Sequence, residues 1–203
     1  MMKNYVNVIP RYVIDRLVAN PQEGMSEVLY HDTVTPWAII SICGGHESSP
    51  ILLHEPQMDL FGSLGCVGGL TSIFVDITEP HYLQNKEWYD SKDTWFTEKK
   101  AKSIVDFVDE VKGRVERFVV HCDAGKSRSG AVGLWLTRYL GWSEGAFTEL
   151  NRKRLLGPNS SVLHTLMEVS GLRREYSEFW ENGFHGTSYH MNLRKEKDEK
   201  DAE

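Results

Sequence analysis

The sequence contains few cysteines, and they are widely separated. Its 203 residues include only Cys43, Cys66 and Cys122. Three scattered thiols do not provide the regularly spaced cysteines of a disulfide framework, nor the clustered ligands of a zinc site. We therefore expect neither a disulfide-stabilised fold nor a bound metal.

An excess of positive charge and long hydrophobic runs are also missing. The formal net charge is −6 at pH 7, whereas nucleic-acid-binding domains carry an excess of lysine and arginine. No apolar run is long enough to span a bilayer, and the N-terminus lacks the hydrophobic region of a signal peptide. We expect no nucleic-acid partner and no stable membrane insertion.

The composition that remains is that of one globular domain. Hydrophobic residues make up 40% of the chain, and its length is that of a single domain with a sizeable core. Residues 190–203 are strongly charged and are expected to form a disordered tail. The predicted organisation is one domain over residues 1–189, followed by that tail.

Apolar patterning predicts an α/β fold. Short apolar or alternating runs predict strands over 5–9, 37–42, 71–77 and 117–121. Apolar stripes and capping residues predict helices over 11–19, 97–112, 129–140, 144–154 and 172–182. A further helix is predicted to begin after Asn159. Because a helix connects the third strand to the fourth, we expect these two strands to be parallel. The expected architecture is a single compact domain with a central, mostly parallel sheet flanked by helices.

In three segments the hydrophobic residues recur with no clear period. Residues 21–36 are polar, residues 46–70 contain several glycines and prolines, and residues 78–95 are rich in aromatic side chains. A loop as long as 78–95 is usually functional in a compact domain, and its aromatic content argues against disorder. We predict that this segment is a functional loop.

The stretch from Val119 to Gly130 has the composition of an anion site. A buried strand leads to Cys122, Gly125 provides a bend, and Arg128 stands where the next helix begins. The N–H groups of such a loop and of the first helical turn lack helical partners and point at one spot. They favour a thiolate at Cys122, while the Arg128 guanidinium matches the geometry of phosphate oxygens. A thiolate that faces a phosphate site is a nucleophile aimed at phosphorus.

The same stretch resembles a known family. His121, Cys122, Arg128 and Ser129 match the His-Cys-x5-Arg-Ser signature loop of the cysteine-dependent protein tyrosine and dual-specificity phosphatases. Pro158-Asn159 resembles a pair that precedes the helix bracing this loop in dual-specificity phosphatases. The resemblance covers roughly residues 38 to 170. It implies a phosphatase-type signature loop between a strand and a helix.

The resemblance also implies roles for individual residues. Cys122 would be the nucleophile, His121 would orient the loop and tune the thiol, and Ser129 would help the thiolate leave. The phosphate would be bound by the loop residues Asp123, Ala124, Gly125, Lys126, Ser127 and Arg128. No metal and no cofactor are implied, because Arg128 and the backbone dipoles carry the charge.

Three aspartates are candidates for the general acid. Asp90 lies at a spacing from Cys122 that resembles many dual-specificity phosphatases, and Asp93 follows in the same loop. Asp76 ends the run Phe74-Val75-Asp76, which resembles the Phe-x-Asp pattern at the acid position of compact members of the family. We rank Asp76 first, since its predicted strand, a neighbour of the strand that ends at Cys122, would bring it to the same sheet edge. Asp90 ranks second.

The expected function is hydrolysis of phosphate monoesters through a phosphocysteine intermediate, by a protein tyrosine or dual-specificity phosphatase. The alternatives are a phosphoinositide or nucleotide phosphatase and, outside the enzymes, a catalytically inactive phosphate-recognition module. Ala124-Gly125-Lys126 resembles the lipid-directed branch, but Asp123 opposes the charge of Lys126. The expected partner is a phosphorylated protein or a small phosphate ester. A reactive thiolate survives best in a reducing compartment, so the expected location is cytoplasmic.

Overall fold

The computed structural model of the protein describes residues 4–29, 36–44, 55–77, 79–91, 93–142 and 157–172. Its centre is a four-stranded sheet in which all pairs are parallel and the strand order is β1-β4-β2-β3. The strands are β1 (Tyr5–Pro10), β2 (Trp37–Cys43), β3 (Cys66–Ile73) and β4 (Arg117–Cys122). The two central strands, β4 and β2, are buried along their whole lengths, as expected for near-continuous apolar runs.

Helices cover both faces of this sheet. They are α1 (Arg11–Ala19), α2 (Pro21–Leu29), α3 (Glu55–Ser63), α4 (Glu79–Gln84), α5 (Lys86–Ser91), α6 (Glu98–Val111), α7 (Arg128–Tyr139) and α8 (Ser160–Val169). Pro10 precedes α1, and the Thr97 hydroxyl accepts a hydrogen bond from the Lys100 amide at the start of α6. Both starts agree with the helix boundaries that the sequence predicts.

The core forms two clusters, one on each face of the sheet. Side chains alternate along β2 and β4, so that Ile40 and Val120 belong to one cluster while Ile39 and Val119 belong to the other. The first cluster contains the apolar stripes of α6, α7 and α8, and the second contains those of α1, α2 and α3. The predicted α/β fold with a parallel sheet and helices on both faces is confirmed.

The third strand differs from the prediction. It covers Cys66–Ile73 and not 71–77, so Asp76 lies in the irregular segment 74–77 that follows the strand. In addition, β2 lies between β3 and β4, and the two strands joined by α6 are therefore parallel but not adjacent. The start of β3 escaped prediction because Gly68 and Gly69 supply no side chains to its pattern.

Three segments that were expected to be irregular contain helices. The predicted loop 78–95 holds α4 and α5, the segment 21–36 holds α2, and the segment 46–70 holds α3. Helix α2 packs so closely on α1 that a Cβ at Gly24 would lie 2.3 Å from the Leu17 Cα atom. Such helices depend on packing against the rest of the fold, which local sequence patterns do not report.

Some predictions fall on other parts of the chain. The helices predicted over 144–154 and 172–182 and the tail 190–203 lie outside the described residues. Over the ranges that are described, none of the helices combines the length and the apolar character that crossing a bilayer requires.

Candidate active site

The candidate site is built where β4 gives way to α7. Strand β4 ends at Cys122, residues 123–127 form a bend, and α7 begins at Arg128. Because β4 is a central strand and α7 is buried on most sides, both ends of the bend are held firmly. Cys122 is 2% exposed and Arg128 is 6% exposed. The loop thus lies at the carboxyl edge of a parallel sheet, where such folds place their ligands.

Gly125 seats the loop on the junction between β1 and α1. Its φ is +64°, and a Cβ there would lie 2.4 Å from the Pro10 nitrogen and 2.5 Å from the Ile9 carbonyl carbon. Next to this contact, the Arg11 amide donates a hydrogen bond of 3.1 Å to the Asp123 carbonyl. Only glycine fits this position, because both the backbone angle and the close approach exclude a side chain.

The backbone of the loop contains N–H groups that the rest of the described backbone does not use. Within the described residues, the N–H groups of 124–127 donate to no other backbone group. They precede the N-terminus of α7, whose dipole favours a negative charge at the same place. The Cys122 Sγ and the Ser129 Oγ lie 3.0 Å apart, within hydrogen-bonding distance. The bend therefore combines a sulfur atom, a neighbouring hydroxyl and a cluster of amide donors.

Arg128 lies inside the site and is held from two sides. Its Nη1 atom donates to the Phe74 carbonyl at 3.0 Å, and its Nη2 atom donates to the Asp123 carboxylate at 2.5 Å. The first contact reaches the guanidinium from the segment after β3, and the second comes from the loop itself. The contact with the Phe74 carbonyl holds the guanidinium from outside the loop, and the contact with Asp123 places a negative charge beside it.

His121 is buried behind the loop. Its side chain is 1% exposed, and neither ring nitrogen has a hydrogen-bond partner among the described residues. Burial, and after it the positive charge of Arg11, lower the pKa of His121 to about 4, so the ring is neutral at pH 7. The orienting role that the resemblance implies for His121 remains a prediction.

Asp76 lies against the loop although it is not part of a strand. Its Oδ1 atom accepts a hydrogen bond of 2.7 Å from the Ser127 hydroxyl and one of 2.9 Å from the Asn159 amide. Its side chain is otherwise exposed. The structure therefore brings Asp76 to the loop that begins at Cys122, through the segment after β3 and not through an adjacent strand.

The other two acid candidates are held elsewhere. The Asp90 carboxylate accepts a hydrogen bond of 2.7 Å from the Tyr82 hydroxyl, and the Asp93 carboxylate lies 3.1 Å from the Lys100 ammonium. In the part of the chain that the structure describes, no hydrogen bond or ion pair joins either carboxylate to the loop. Both belong to the segment around α4 and α5.

Asn159 connects three segments at the site. Its backbone amide donates to the Ser127 carbonyl at 3.0 Å, and its side-chain oxygen accepts from the Val162 amide at 3.1 Å. Its side-chain nitrogen donates to Asp76 and, at 3.1 Å, to the Ile77 carbonyl. The sequence suggests a helix cap or a brace for the loop, and Asn159 provides both.

Two further backbone groups contact the site and were not predicted from the sequence. The Phe74 carbonyl binds Arg128, and the Arg11 amide binds the first residue of the loop. No local motif marks either residue, because their proximity to the loop depends on strand order. Among the described residues, no group of three or more histidine, cysteine, aspartate or glutamate side chains is placed to hold a metal ion.

Comparisons with known proteins add little to this geometry. No family model matches the sequence, and no curated protein matches it. The solved structure of PTPMT1 in complex with PI(5)P is similar at 15% identity over 87% of this chain and 96% of that chain, with a TM-score of 0.43. The structure of Tk-PTP in the active form is similar at 16% identity over 86% of this chain and 95% of that chain, with a TM-score of 0.41. Because both scores are low, the function has to be argued from the residues of this chain.

Proposed function

We propose that the protein is a phosphate monoester hydrolase that acts through a phosphocysteine intermediate on Cys122. The observation that carries the proposal is one loop that joins a thiol, a guanidinium and a row of amide donors between a buried strand and a buried helix. The resemblance to the signature loop of tyrosine and dual-specificity phosphatases supports the same reaction. The Arg128 guanidinium and the loop amides bind the phosphoryl oxygens most strongly in the transition state.

The first step forms a bond between the Cys122 sulfur and phosphorus. The bond from phosphorus to the ester oxygen breaks, and the electron pair stays with that oxygen. We assign Asp76 the role of general acid that protonates the leaving oxygen, because its carboxylate contacts the loop through Ser127. Asp90 is the second candidate, although its carboxylate is bonded to Tyr82.

The second step releases inorganic phosphate. Water attacks phosphorus, Asp76 accepts the proton from that water, and the bond between phosphorus and sulfur breaks. The sulfur leaves as a thiolate, and the Ser129 hydroxyl, 3.0 Å from it, donates a hydrogen bond to the developing charge. That contact favours catalysis over an inactive phosphate-recognition module, because recognition alone does not need a donor at the sulfur.

For the substrate we propose a phosphorylated protein, and phosphoinositide or nucleotide phosphates are the rival classes. The exposed Lys126 at the rim of the loop favours an additional anionic group on the substrate. Helices α4 and α5 follow Asp76 closely in the sequence and carry aromatic side chains, including the exposed Trp88 beside Tyr89. We propose that these side chains favour an aromatic phosphoester. These two features point to different substrates and have to be separated by assay.

The test is a side-by-side assay of phosphotyrosine and phosphoserine peptides, inositol phospholipids and nucleotides. Cys122→Ser should abolish turnover of every substrate while the variant still binds inorganic phosphate, because a hydroxyl is far less ionised than a thiol. Cys66→Ala is the matched control, since burial raises the pKa of the Cys66 thiol to about 11 and leaves it inert. Turnover by Cys122→Ser near the wild-type rate would refute covalent catalysis.

A further inference from the structure

The guanidinium of Arg128 already holds an anion from its own loop. Its side chain is 7% exposed, and its Nη2 atom is 2.5 Å from the Asp123 carboxylate. The neighbouring Nη1 atom is committed to the Phe74 carbonyl at 3.0 Å. The carboxylate oxygen accepts one of the two N–H groups of Nη2 and places a negative charge where a phosphoryl oxygen would approach the guanidinium.

Asp123 can vacate that place without moving the loop. Its backbone is anchored, because its carbonyl accepts a hydrogen bond of 3.1 Å from the Arg11 amide. Its side chain is 35% exposed, so rotation about the side-chain bonds is enough to bring the carboxylate into water. The loop and the start of α1 therefore stay fixed while the carboxylate moves.

From this geometry we infer that Asp123 is an internal competitor for Arg128, and that a phosphate displaces its carboxylate when it takes the N–H group of Nη2 that the carboxylate holds. The inference rests on the proposed function, since it concerns the same phosphate site. Displacement lowers the affinity for all oxyanions by a common factor. The displaced carboxylate also remains at the rim, where it repels the more highly charged ligands most strongly. Asp123 is thus a specificity-determining residue that disfavours densely anionic substrates and opposes the attraction of Lys126.

The alternative role for Asp123 is to position the Arg128 guanidinium. In that case the carboxylate would hold the guanidinium in its productive orientation, and its loss would weaken phosphate binding. The two roles predict changes of opposite sign in the same measurement, so one substitution separates them. Asp123→Asn is suitable because asparagine keeps the size and an acceptor oxygen but removes the charge.

The experiment is calorimetric titration of the full chain with inorganic phosphate and with tungstate at pH 7, which needs no turnover. We expect Asp123→Asn to bind both anions about tenfold more tightly, which corresponds to about 1.4 kcal/mol. Asp123→Ser should change the affinity in the same direction. Asp15→Asn is the matched control, because Asp15 is a surface carboxylate 3.8 Å from the Arg11 side chain. The affinity of this variant for both anions should stay at the wild-type value.

Unchanged or weaker binding by Asp123→Asn, with wild-type protein that binds both anions, overturns the competitor role. An equal gain in Asp15→Asn also overturns it, since net charge alone would then explain the effect. If the wild-type protein binds neither anion, the proposed function fails as well, so the two failures are distinguishable. Thermal unfolding of each variant shows whether it is folded under the conditions of the titration.

Discussion

The Asn159 amide and the Asp76 carboxylate are joined by a hydrogen bond of 2.9 Å across 83 positions of sequence. The same carboxylate oxygen accepts from the Ser127 hydroxyl at 2.7 Å, and the Asn159 backbone binds the Ser127 carbonyl. These hydrogen bonds connect the segment after β3 to the loop 123–127 and to the start of α8. This relationship supports Asp76 as the general acid of the proposed reaction.

The first prediction concerns the identity of that acid. With a substrate that has a poor leaving group, Asp76→Asn should lower kcat on the order of a hundredfold and remove the basic limb of the pH–rate profile. Asp90→Asn and Asp93→Asn are the controls, because their carboxylates contact Tyr82 and Lys100. A wild-type profile in Asp76→Asn, with the limb lost in Asp90→Asn or Asp93→Asn, contradicts the assignment and transfers the acid to the α4–α5 segment.

The second prediction separates the two roles of Asn159. Asn159→Ala should lose the cap of α8, at about 1 kcal/mol, as well as the hydrogen bond to Asp76. Asn159→Ser should keep a capping oxygen and most of the stability but lose both side-chain N–H donors. We expect kcat to fall about tenfold in the serine variant with a poor leaving group and much less with a good one. A serine variant with wild-type kcat on both substrates shows that the amide does not position Asp76.

The third prediction concerns the seat of the loop. Gly125→Ala should destabilise the fold by more than about 1 kcal/mol, because alanine at positive φ is strained and its Cβ would press on the Pro10 and Ile9 backbone. Gly113→Ala is the control, since a Cβ there meets nothing within 4 Å. Urea unfolding measures both variants, and phosphate binding should be lost only in the first. Equal stability of the two variants would show that the loop does not sit on β1 as described.

Much of this fold could be predicted because its signals are local. The apolar run of β2, the capped and striped α6 and the buried α7 are encoded in consecutive residues, and each was found within a few positions of its observed bounds. The positions of Cys122 at the end of β4 and of Arg128 at the start of α7 could be predicted for the same reason, since one short motif contains both. The contacts of Cys122 with Ser129 and of Arg128 with Asp123 follow from the bend between the strand and the helix.

The parts that escaped prediction depend on strand order and on packing. Asp76 was ranked first on the argument that it ended a strand adjacent to β4, but it follows β3, which β2 separates from β4. It reaches the loop because residues 74–77 turn towards it, as the bonds from Arg128 to Phe74 and from Asn159 to Ile77 show. No periodicity in the sequence encodes such a turn.

The fourth prediction uses the buried histidine. The pKa of His121 is lowered to about 4 in the folded protein against an ordinary value near 6.5. As the pH falls below about 6.5, the His121 imidazole therefore becomes protonated in the unfolded chain but stays neutral in the folded protein. The contribution of neutral His121 to the free energy of unfolding is fully present above that pH. It is lost as the pH falls from about 6.5 to 4, by up to about 3 kcal/mol.

Urea unfolding between pH 7.5 and 4.5 tests this loss. His121→Asn should show a shallower fall in stability with decreasing pH than the wild-type protein. His81→Asn, at an exposed position, should keep the wild-type slope. An identical slope in His121→Asn would mean that the ring is not desolvated as its burial indicates.

The most direct measurement is detection of the phosphocysteine itself. Wild-type protein is mixed with a phosphate ester that it turns over, quenched in acid within milliseconds and digested, and the peptides that contain Cys122 are analysed by mass spectrometry. The account predicts a phosphoryl group on the Cys122 sulfur that forms before steady state and disappears when the substrate is exhausted. Steady turnover with an unmodified Cys122, or with the phosphoryl group on another residue, would contradict it.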